Sequence, residues 1–271
     1  MIKLVSINIE ADKHLHLVLP FLQKECPDVC AVQEILEEHL PLVSKETGMS
    51  LVRFCPMALQ PSFLDKSGPK DKKWGVAIFS RLPVIDSGER VYVGARDQIP
   101  VFAKAEDEMS NPNSSNYVLC FAKISDGETI YTIATTHFTW TPLGLSTQYQ
   151  KEHAQLLFAA LDSIGNELVL CGDMNAPRGY GTWELFTERY TDTIPSKYRT
   201  SIYAPLHRVG DTKKEELADK MVDGLFVTKE YSAHDVQLEE GVSDHMAIVA
   251  MLEKQAHSGS SYAKTIDTIS A

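Results

Sequence analysis

The sequence ELVLCGDMNAP, residues 167–177, is a short apolar run that breaks into glycine, aspartate, asparagine and proline. Such residues are typical of a turn after a strand, because glycine tolerates unusual backbone angles and proline ends strand pairing. In an extended chain, however, Asp173 and Asn175 share one face, since alternate side chains point the same way. Carboxyl ends of strands are common places for catalytic side chains in α/β proteins. The stretch therefore predicts either a simple turn or a functional site, and the other strand ends must decide between them.

Eight short segments, rich in apolar or β-branched residues and bounded by turn residues, predict strands. They are residues 2–9, 28–34, 74–80, 117–124, 129–138, 167–173, 221–227 and 246–252. Residues 13–25, 36–47 and 147–164 have helical spacing, and the last of these opens with a capping-box pattern. Residues 125–128 predict a hairpin, and residues 56–73, 106–116 and 191–219 are predicted to be loops. This mixture predicts an α and β protein whose sheets are mixed.

Composition and length favour one large domain. The chain has 271 residues, of which 44% are hydrophobic, and no linker-like segment, repeat or charge block divides it. We expect a single domain over residues 1–256 and a disordered tail over residues 257–271. The net charge of −11 argues against binding nucleic acid or an anionic membrane by bulk electrostatics, although a local basic groove remains compatible with it.

The chain shows no targeting or disulfide pattern. The apolar stretch at the N-terminus is too short for a signal peptide, and no run approaches the length needed to span a bilayer. Five cysteines are an odd number and lie mostly in apolar segments, which predicts reduced thiols in the core. We therefore expect a cytoplasmic monomer that does not use a membrane.

Polar side chains recur at the ends of the predicted strands. Taken one at a time, each is explained by capping a turn or opening a helix. Together they form a set that chance explains poorly: Asn8, Gln33, Glu34, His137, Asp173, Asn175, Asp223, Ser243, Asp244 and His245.

The order of these motifs resembles the endonuclease/exonuclease/phosphatase superfamily, which has the fold of deoxyribonuclease I. The motifs are LVSIN, VQE, GVAIFSR, TTH, GDMN, VDGLFV and GVSDH, and they run from Asn8 to His245. The resemblance implies an α+β fold, a four-layer α/β/β/α sandwich of two packed mixed sheets. It also implies an active site at one edge of the two sheets.

The resemblance implies a phosphoesterase that uses Mg²⁺, with Mn²⁺ as a substitute. Mg²⁺ prefers oxygen ligands and is usually held by one or two carboxylates and several waters. By the resemblance, Asn8 and Glu34 hold the metal, and Asp244 ligates it directly or through water.

The same resemblance assigns the catalytic roles. Asp173 activates or orients the attacking water, and Asn175 helps to hold that water and a phosphate oxygen. Asp223 fixes the tautomer of His245 and leaves its other nitrogen for the phosphate. His137 donates to a second phosphate oxygen. The resemblance leaves open which group carries the proton to or from the water.

The expected function is metal-assisted hydrolysis of phosphodiesters by in-line attack of water, in a nuclease or a related phosphodiesterase. One alternative is a phosphatase of a small phosphomonoester such as an inositol phosphate. A second is a non-catalytic binding protein on the same fold, which would normally have lost a motif. The TTH form of the motif at His137 disfavours an abasic-site endonuclease.

Aromatic residues near the motifs suggest a substrate preference. Trp140 and Trp183 lie in segments rich in proline and glycine, close to His137 and Asn175 respectively, and Arg178 lies between two motifs. We expect at least one of these tryptophans to line the cleft, with Arg178 as a possible substrate contact. Such a rim suits a single-stranded nucleic acid or a small phosphodiester better than a long duplex. The histidines outside the motifs, His207 among them, are predicted to be surface or packing residues.

Overall fold

The computed structural model describes residues 1–60, 62, 64, 71–102 and 114–255. These residues form twelve strands: β1 (Ile2–Asn8), β2 (Val29–Leu36), β3 (Ser50–Gln60), β4 (Lys72–Ser80), β5 (Val84–Val93), β6 (Tyr117–Ser125), β7 (Ile130–His137), β8 (Val169–Asp173), β9 (Thr191–Asp192), β10 (Asp223–Val227), β11 (Tyr231–Glu239) and β12 (Ala247–Lys254). The strands make two mixed six-stranded sheets. Their orders are β11-β12-β1-β2-β4-β3 and β5-β6-β7-β8-β10-β9.

The two sheets pack face to face. Their inner faces supply one continuous apolar core, to which Leu4 and Ile78 belong from the first sheet and Ile133 and Leu170 from the second. Alternation along each strand sends these side chains inward, because successive residues of a strand point to opposite faces. Burial of this apolar surface is the main term that holds the sheets together.

Helices cover the two outer faces. On the first sheet, α1 (Leu15–Glu25) and α2 (Leu40–Thr47) cover the outer face. There Leu22 of α1 forms a second apolar core with Val5 of β1 and Val32 of β2. On the second sheet, α3 (Gln148–Asp162) lies against β5 and β6, and α4 (Gly181–Thr187) lies against β10, where the rings of Phe186 and Phe226 stack with centroids 5.3 Å apart. A fifth helix, α5, spans Gly210–Leu217. The four-layer α/β/β/α sandwich expected from the sequence is confirmed.

The eight predicted strands are all present, and so are the three predicted helices, the second of them preceded by a 3₁₀ turn at Glu37–His39. The predicted hairpin joins β6 to β7. The loop prediction over residues 56–73 is wrong for residues 56–60, which belong to β3, and for residues 72–73, which belong to β4. The loop prediction over residues 191–219 misses β9 and α5. Residues 106–113 and the tail at 257–271 lie outside the described residues.

The capping-box prediction at the start of α3 is half right. Thr147 accepts a hydrogen bond from the backbone N–H of Gln150 at 3.1 Å, as the pattern predicts. The Gln150 side chain, however, donates to the carbonyl oxygens of Thr139 and Asn175, at 2.9 and 3.1 Å. Gln150 therefore ties the start of α3 to the loops that follow β7 and β8.

All five cysteines are free, and four of them are buried, in agreement with the expectation of reduced thiols. Among the described residues, no helix combines the length and apolar character needed to cross a membrane.

Candidate active site

Three polar side chains of the second sheet lie side by side at its edge. In the parallel pair β7–β8, His137 is in register with Asp173, and in the antiparallel pair β8–β10, Asp173 is in register with Asp223. His137 and Asp173 are the last residues of their strands, and Asp223 is the first residue of its strand. The opposite direction of β10 is what brings its amino end to the carboxyl ends of β7 and β8.

The first sheet contributes Asn8 and Glu34. Asn8 ends β1 in register with Gln33 of β2, and a bulge in β2 between Val32 and Ile35 interrupts pairing with β4. Glu34 takes φ of 62°, which is uncommon for a residue with a side chain. A bulge changes the direction in which neighbouring side chains point. Here it allows Gln33 to form a hydrogen bond with the second sheet and Glu34 to reach the site.

Asn8 joins the two sheets at the site. Its amide nitrogen donates to Glu34 Oε1 at 2.9 Å and to Asp173 Oδ2 at 3.1 Å. Deeper in the interface, Gln33 Nε2 donates to Thr135 Oγ1 at 2.9 Å. Residues from both sheets are thus held at one edge by direct hydrogen bonds between them.

Asp173 lies at the centre of the arrangement and is buried. Its Oδ1 accepts from the backbone N–H of Asn175 at 2.8 Å. Its Oδ2 faces two imidazoles, with His137 Nε2 at 3.5 Å and His245 Nε2 at 3.8 Å. This oxygen is flanked by nitrogen atoms on either side, at distances slightly longer than a hydrogen bond.

His245 is oriented by Asp223. Its Nδ1–H donates to Asp223 Oδ2 at 2.7 Å, which leaves Nε2 directed toward Asp173. Burial alone lowers the pKa of His245, but the carboxylates of Asp223 and Asp173 outweigh that effect and raise the pKa well above its ordinary value. The two carboxylates therefore favour the imidazolium form of His245.

Ser201 holds Asp223 in place. Its Oγ accepts from the backbone N–H groups of Val222 and Asp223, at 3.1 and 3.0 Å. Its carbonyl oxygen accepts from the N–H of Met246 at 2.7 Å. Ser201 is fully buried and thus connects the segment before β10 with the segment that carries His245.

The two threonines of the TTH motif have structural roles. Thr135 accepts from Gln33, and Thr136 shares a hydrogen bond of 2.9 Å with the hydroxyl of the partly buried Tyr92. The ring of His137 then packs edge-on against Trp74, with centroids 5.3 Å apart. Burial lowers the pKa of His137, which favours its neutral form.

The carboxyl groups of the site are poorly solvated. Burial raises the pKa of Glu34 to about 7 and that of Asp244 to about 6, and it also raises the pKa of Asp173. Asp244 accepts from the hydroxyl of Ser243 at 3.1 Å. Buried carboxylates that lack a compensating charge are the donor set that a hard divalent cation would stabilise.

Three groups of atoms that could bind a metal lie among the described residues, and two of them contain a residue expected at the metal. One comprises Glu34, His137 and Asp173, and the other comprises Glu10, His14 and Asp244. Within each group, the candidate atoms lie within 4.8 Å of one another. Glu34 and Asp244, which the sequence analysis expects at the metal, therefore fit a cation site but belong to different groups.

Asn8 is turned away from the role expected for it. Its amide oxygen accepts from the backbone N–H of Glu10 at 3.1 Å, and its amide nitrogen, which cannot ligate a cation, faces the carboxylates. In this arrangement Asn8 orients Glu34 and Asp173, and ligation through its oxygen would require the amide to rotate.

The expected substrate contacts separate into two groups. Trp140 is half exposed, as a cleft residue would be. Trp183 is only 2% exposed and packs on Phe226, which contradicts a position on an aromatic rim. Arg178 is bound to Asp192 and to the carbonyl oxygens of Ile194 and Tyr198, and it lies over the Trp183 ring. Its guanidinium is used in holding loops together, which argues against the expected substrate contact.

Four residues near the site are not among the predicted site residues: Glu10, Gln150, Ser201 and His207. Glu10 follows Asn8 by two residues, and this spacing was the available signal for it. His207 lies within electrostatic range of His245 and Glu10, and its pKa falls to about 4, chiefly through burial. Its segment was predicted to be an irregular loop, so no pattern pointed to it.

Comparison with known proteins identifies the family. A model described as the endonuclease/exonuclease/phosphatase family matches residues 5–245. No curated protein matches the sequence. Among solved structures, the human Nocturnin catalytic domain with bound sulfate is 18% identical, with a TM-score of 0.62 over 94% of this chain and 93% of that chain.

Two other solved structures have the same fold with different activities in their names. A mannosyl-6-phosphatase from Bacteroides thetaiotaomicron is 14% identical, with a TM-score of 0.64 over 93% of this chain and 100% of that chain. An AP endonuclease from Archaeoglobus fulgidus is 19% identical, with a TM-score of 0.62 over 93% of this chain and 99% of that chain. At such identities the likeness extends to the fold alone.

Proposed function

The chain belongs to the endonuclease/exonuclease/phosphatase family of hydrolytic phosphoesterases, and from this premise we propose that it is a Mg²⁺-dependent phosphodiesterase. The observation that carries the proposal is the register of His137, Asp173 and Asp223 across three strands, with His245 bonded to Asp223. A carboxylate is thereby flanked by two imidazole Nε2 atoms, which is a suitable geometry for a water beside a phosphate.

The metal would be held by Glu34, with Asp244 as a second ligand directly or through water. When bound, a Mg²⁺ ion neutralises charge on the phosphate and orients an oxygen of the substrate. The donor set fits such an ion because the buried carboxyl groups have raised pKa values in its absence. Asn8 supports this site by donating to Glu34 and Asp173.

Asp173 would receive or orient the attacking water. Its Oδ1 accepts from the backbone N–H of Asn175 and its Oδ2 accepts from the amide of Asn8, and Oδ2, which lies beside the two imidazoles, has a second lone pair for a water molecule. The raised pKa of Asp173, caused mainly by burial, makes its carboxylate a better proton acceptor than an ordinary aspartate. Proton transfer to Asp173 is therefore chemically reasonable alongside simple orientation of the water.

Donors around the phosphate would come from His245, His137 and Asn175. The imidazolium of His245 donates from Nε2, because its Nδ1–H is bonded to Asp223. His137 Nε2 lies 3.5 Å from both Glu34 and Asp173 and can turn its N–H to a phosphate oxygen. One amide N–H of Asn175 bonds the carbonyl of Phe138 at 2.8 Å, which leaves its second N–H for the substrate.

The test is a hydrolysis screen of the purified protein with Mg²⁺ or Mn²⁺. Substrates would be single-stranded DNA, duplex DNA, RNA, inositol phosphates and an aryl phosphodiester, with Asp173→Asn as the matched inactive control. We expect metal-dependent cleavage of a diester that Asp173→Asn loses. Turnover of phosphomonoesters alone would favour the phosphatase alternative, and absence of any turnover would favour a binding protein. Sedimentation of the same sample tests the expectation of a monomer.

A further inference from the structure

A patch of exposed apolar side chains adjoins the candidate active site. It consists of Trp140, Leu143, Leu145 and Tyr180, which are between 37% and 55% exposed and which we call the apolar rim. The first three lie in the loop between β7 and α3, and Tyr180 lies in the loop between β8 and α4. These loops begin directly after His137 and Asp173, so the rim borders the site on the side of the second sheet.

The loop that carries Trp140 is held firmly. Trp140 lies between Thr139 and Thr141, both buried. Thr139 Oγ1 bonds His153 Nδ1 at 2.7 Å, its carbonyl accepts from Gln150, and Thr141 Oγ1 donates to the carbonyl of Leu145 at 2.7 Å. With its neighbours fixed in this way, the exposure of Trp140 follows from the backbone of the loop.

The two loops of the rim contact each other. Lys220 donates to the carbonyl of Leu143 at 2.6 Å, and its ammonium lies 5.0 Å from the centre of the Tyr180 ring. Gly144, at φ of 67°, lies so close to the Pro177 ring that a Cβ atom would be 2.5 Å from it. The two loops that carry the rim are therefore tied together, and Gln150 also joins them by donating to the carbonyl oxygens of Thr139 and Asn175.

We propose that the apolar rim binds a nucleobase of the substrate, and that this nucleobase belongs to the group esterified to the scissile phosphate. This inference rests on the proposed function. Exposed apolar side chains that cluster beside a cleft commonly mark a binding surface. A flat aromatic ring matches the indole and phenol rings of the rim, and base stacking on such rings tolerates any sequence. The ammonium of Lys220 adds a positive charge beside this surface, suited to the anionic backbone of a nucleotide.

This subsite discriminates among phosphoesters. A nucleotide would place its phosphate near His137 and His245 and its base on the rim. An inositol or sugar phosphate offers hydroxyl groups to the same surface, which would leave those groups short of hydrogen bonds. The rim thus favours nucleotidyl esters, and unpaired bases over the stacked bases of a duplex.

Binding to the metal-free protein tests the subsite without turnover. Titration calorimetry in chelator would compare adenosine 5′-monophosphate with ribose 5-phosphate, which carries the same phosphate without a base. We expect the nucleotide to bind at least about 5-fold more tightly. Trp140 is the exposed tryptophan of the three in the chain, so the nucleotide should also quench its fluorescence while ribose 5-phosphate does not.

Variants assign the effect to the rim. Trp140→Ala should remove most of the preference for the nucleotide, Trp140→Phe should restore much of it, and Leu143→Ala should lower it less. Leu51→Ala is the matched control, because Leu51 is similarly exposed but lies in β3 of the other sheet. Equal affinity for adenosine 5′-monophosphate and ribose 5-phosphate, or a preference that Trp140→Ala and Leu143→Ala both leave unchanged, would overturn the subsite. Hydrolysis of diesters with no base preference would overturn the subsite and leave the proposed function intact. Base-selective binding without hydrolysis would overturn the proposed function and leave the subsite intact.

Discussion

Substitution of Ser201 by alanine removes the oxygen that fixes the start of β10. The backbone N–H groups of Val222 and Asp223 would lose their acceptor, and Val222 and Asp223 are both buried. A buried donor left unsatisfied costs about 1–3 kcal/mol. Two donors give about 2–6 kcal/mol by addition, out of a total of about 5–15 kcal/mol for a typical domain. We therefore expect Ser201→Ala to lower the free energy of unfolding by several kcal/mol.

Ser201 is also expected to act as a positioning residue for catalysis. Displacement of the Asp223 backbone would lengthen the 2.7 Å bond to His245, and the imidazole would lose its fixed orientation. The expected result is a fall of about 10-fold or more in kcat for protein that is still folded, within the range attributed to a positioned acid or base.

Two measurements separate the stabilising effect from the positioning effect. Urea denaturation reports the free energy of unfolding, and proton NMR of the folded, metal-free protein reports the low-field resonance of the His245 Nδ1–H. Thr200→Ala is the matched control, because the neighbouring hydroxyl accepts from Ile202 and donates to Lys220 without contacting Asp223. Ser201→Ala should shift or broaden the resonance, and Thr200→Ala should leave it in place. A stability within about 0.5 kcal/mol of wild type, together with an unchanged resonance, would refute the reasoning.

Three further outcomes are expected. Glu34→Gln should abolish metal-dependent hydrolysis yet raise the Tm of the metal-free protein at pH 8. The substitution removes a poorly solvated charge and keeps a side-chain oxygen that can accept from the Asn8 amide. A lowered Tm in calorimetry would contradict this. Asp223→Asn should reduce kcat about 10²- to 10⁴-fold with a smaller effect on KM, since an uncharged amide replaces the carboxylate that orients His245 and favours its imidazolium form; steady-state kinetics in which only KM changes would count against it. The ion pair with Lys3 lowers the pKa of Glu25 through a 2.8 Å hydrogen bond, so the stabilisation that this pair gives the fold is present above the ordinary carboxyl pKa and disappears at lower pH. Lys3→Met should accordingly lower the Tm at pH 7 and have much less effect at pH 3. An equal loss of Tm at both pH values would exclude this linkage.

The sequence predicts the interior of both sheets and misses their borders. The strands that the pattern identifies are β1, β2, β4, β6, β7, β8, β10 and β12, and each has a neighbour on both sides. The strands that it misses, β3, β5, β9 and β11, are the four edges. An edge strand is half solvated and carries polar residues, bulges or proline. β3 contains Pro56, β5 has no buried residue, and β11 has a bulge near Asp235. Their apolar periodicity is therefore too weak to detect.

The site shows a similar division between motif residues and the residues that hold them. Asp173, Asp223 and His245 could be found because they stand at the ends of apolar strands in an ordered set of motifs. Ser201 and Gln150 act through backbone groups distant in sequence, and such contacts depend on the tertiary fold. Trp183 misled the prediction because glycine and proline before it suggested a loop, whereas it belongs to α4 and its ring faces the core.

Charge balance at the site differs from that in the rest of the chain. Elsewhere acidic side chains pair with basic ones, as Asp192 does with Arg178. Among the described residues, by contrast, no lysine or arginine lies within ion-pair distance of the four carboxyl groups at the site, Glu34, Asp173, Asp223 and Asp244. A fixed ammonium would neutralise these groups permanently and occupy the space that a cation, a water and a phosphate need. Their neighbours are instead neutral N–H donors and the imidazoles of His137 and His245, and the positive charge of His245 offsets only part of the carboxylate charge. Burial without a full compensating charge raises the pKa values of Glu34, Asp173 and Asp244, which fits an edge arranged for an external cation at the expense of stability in its absence.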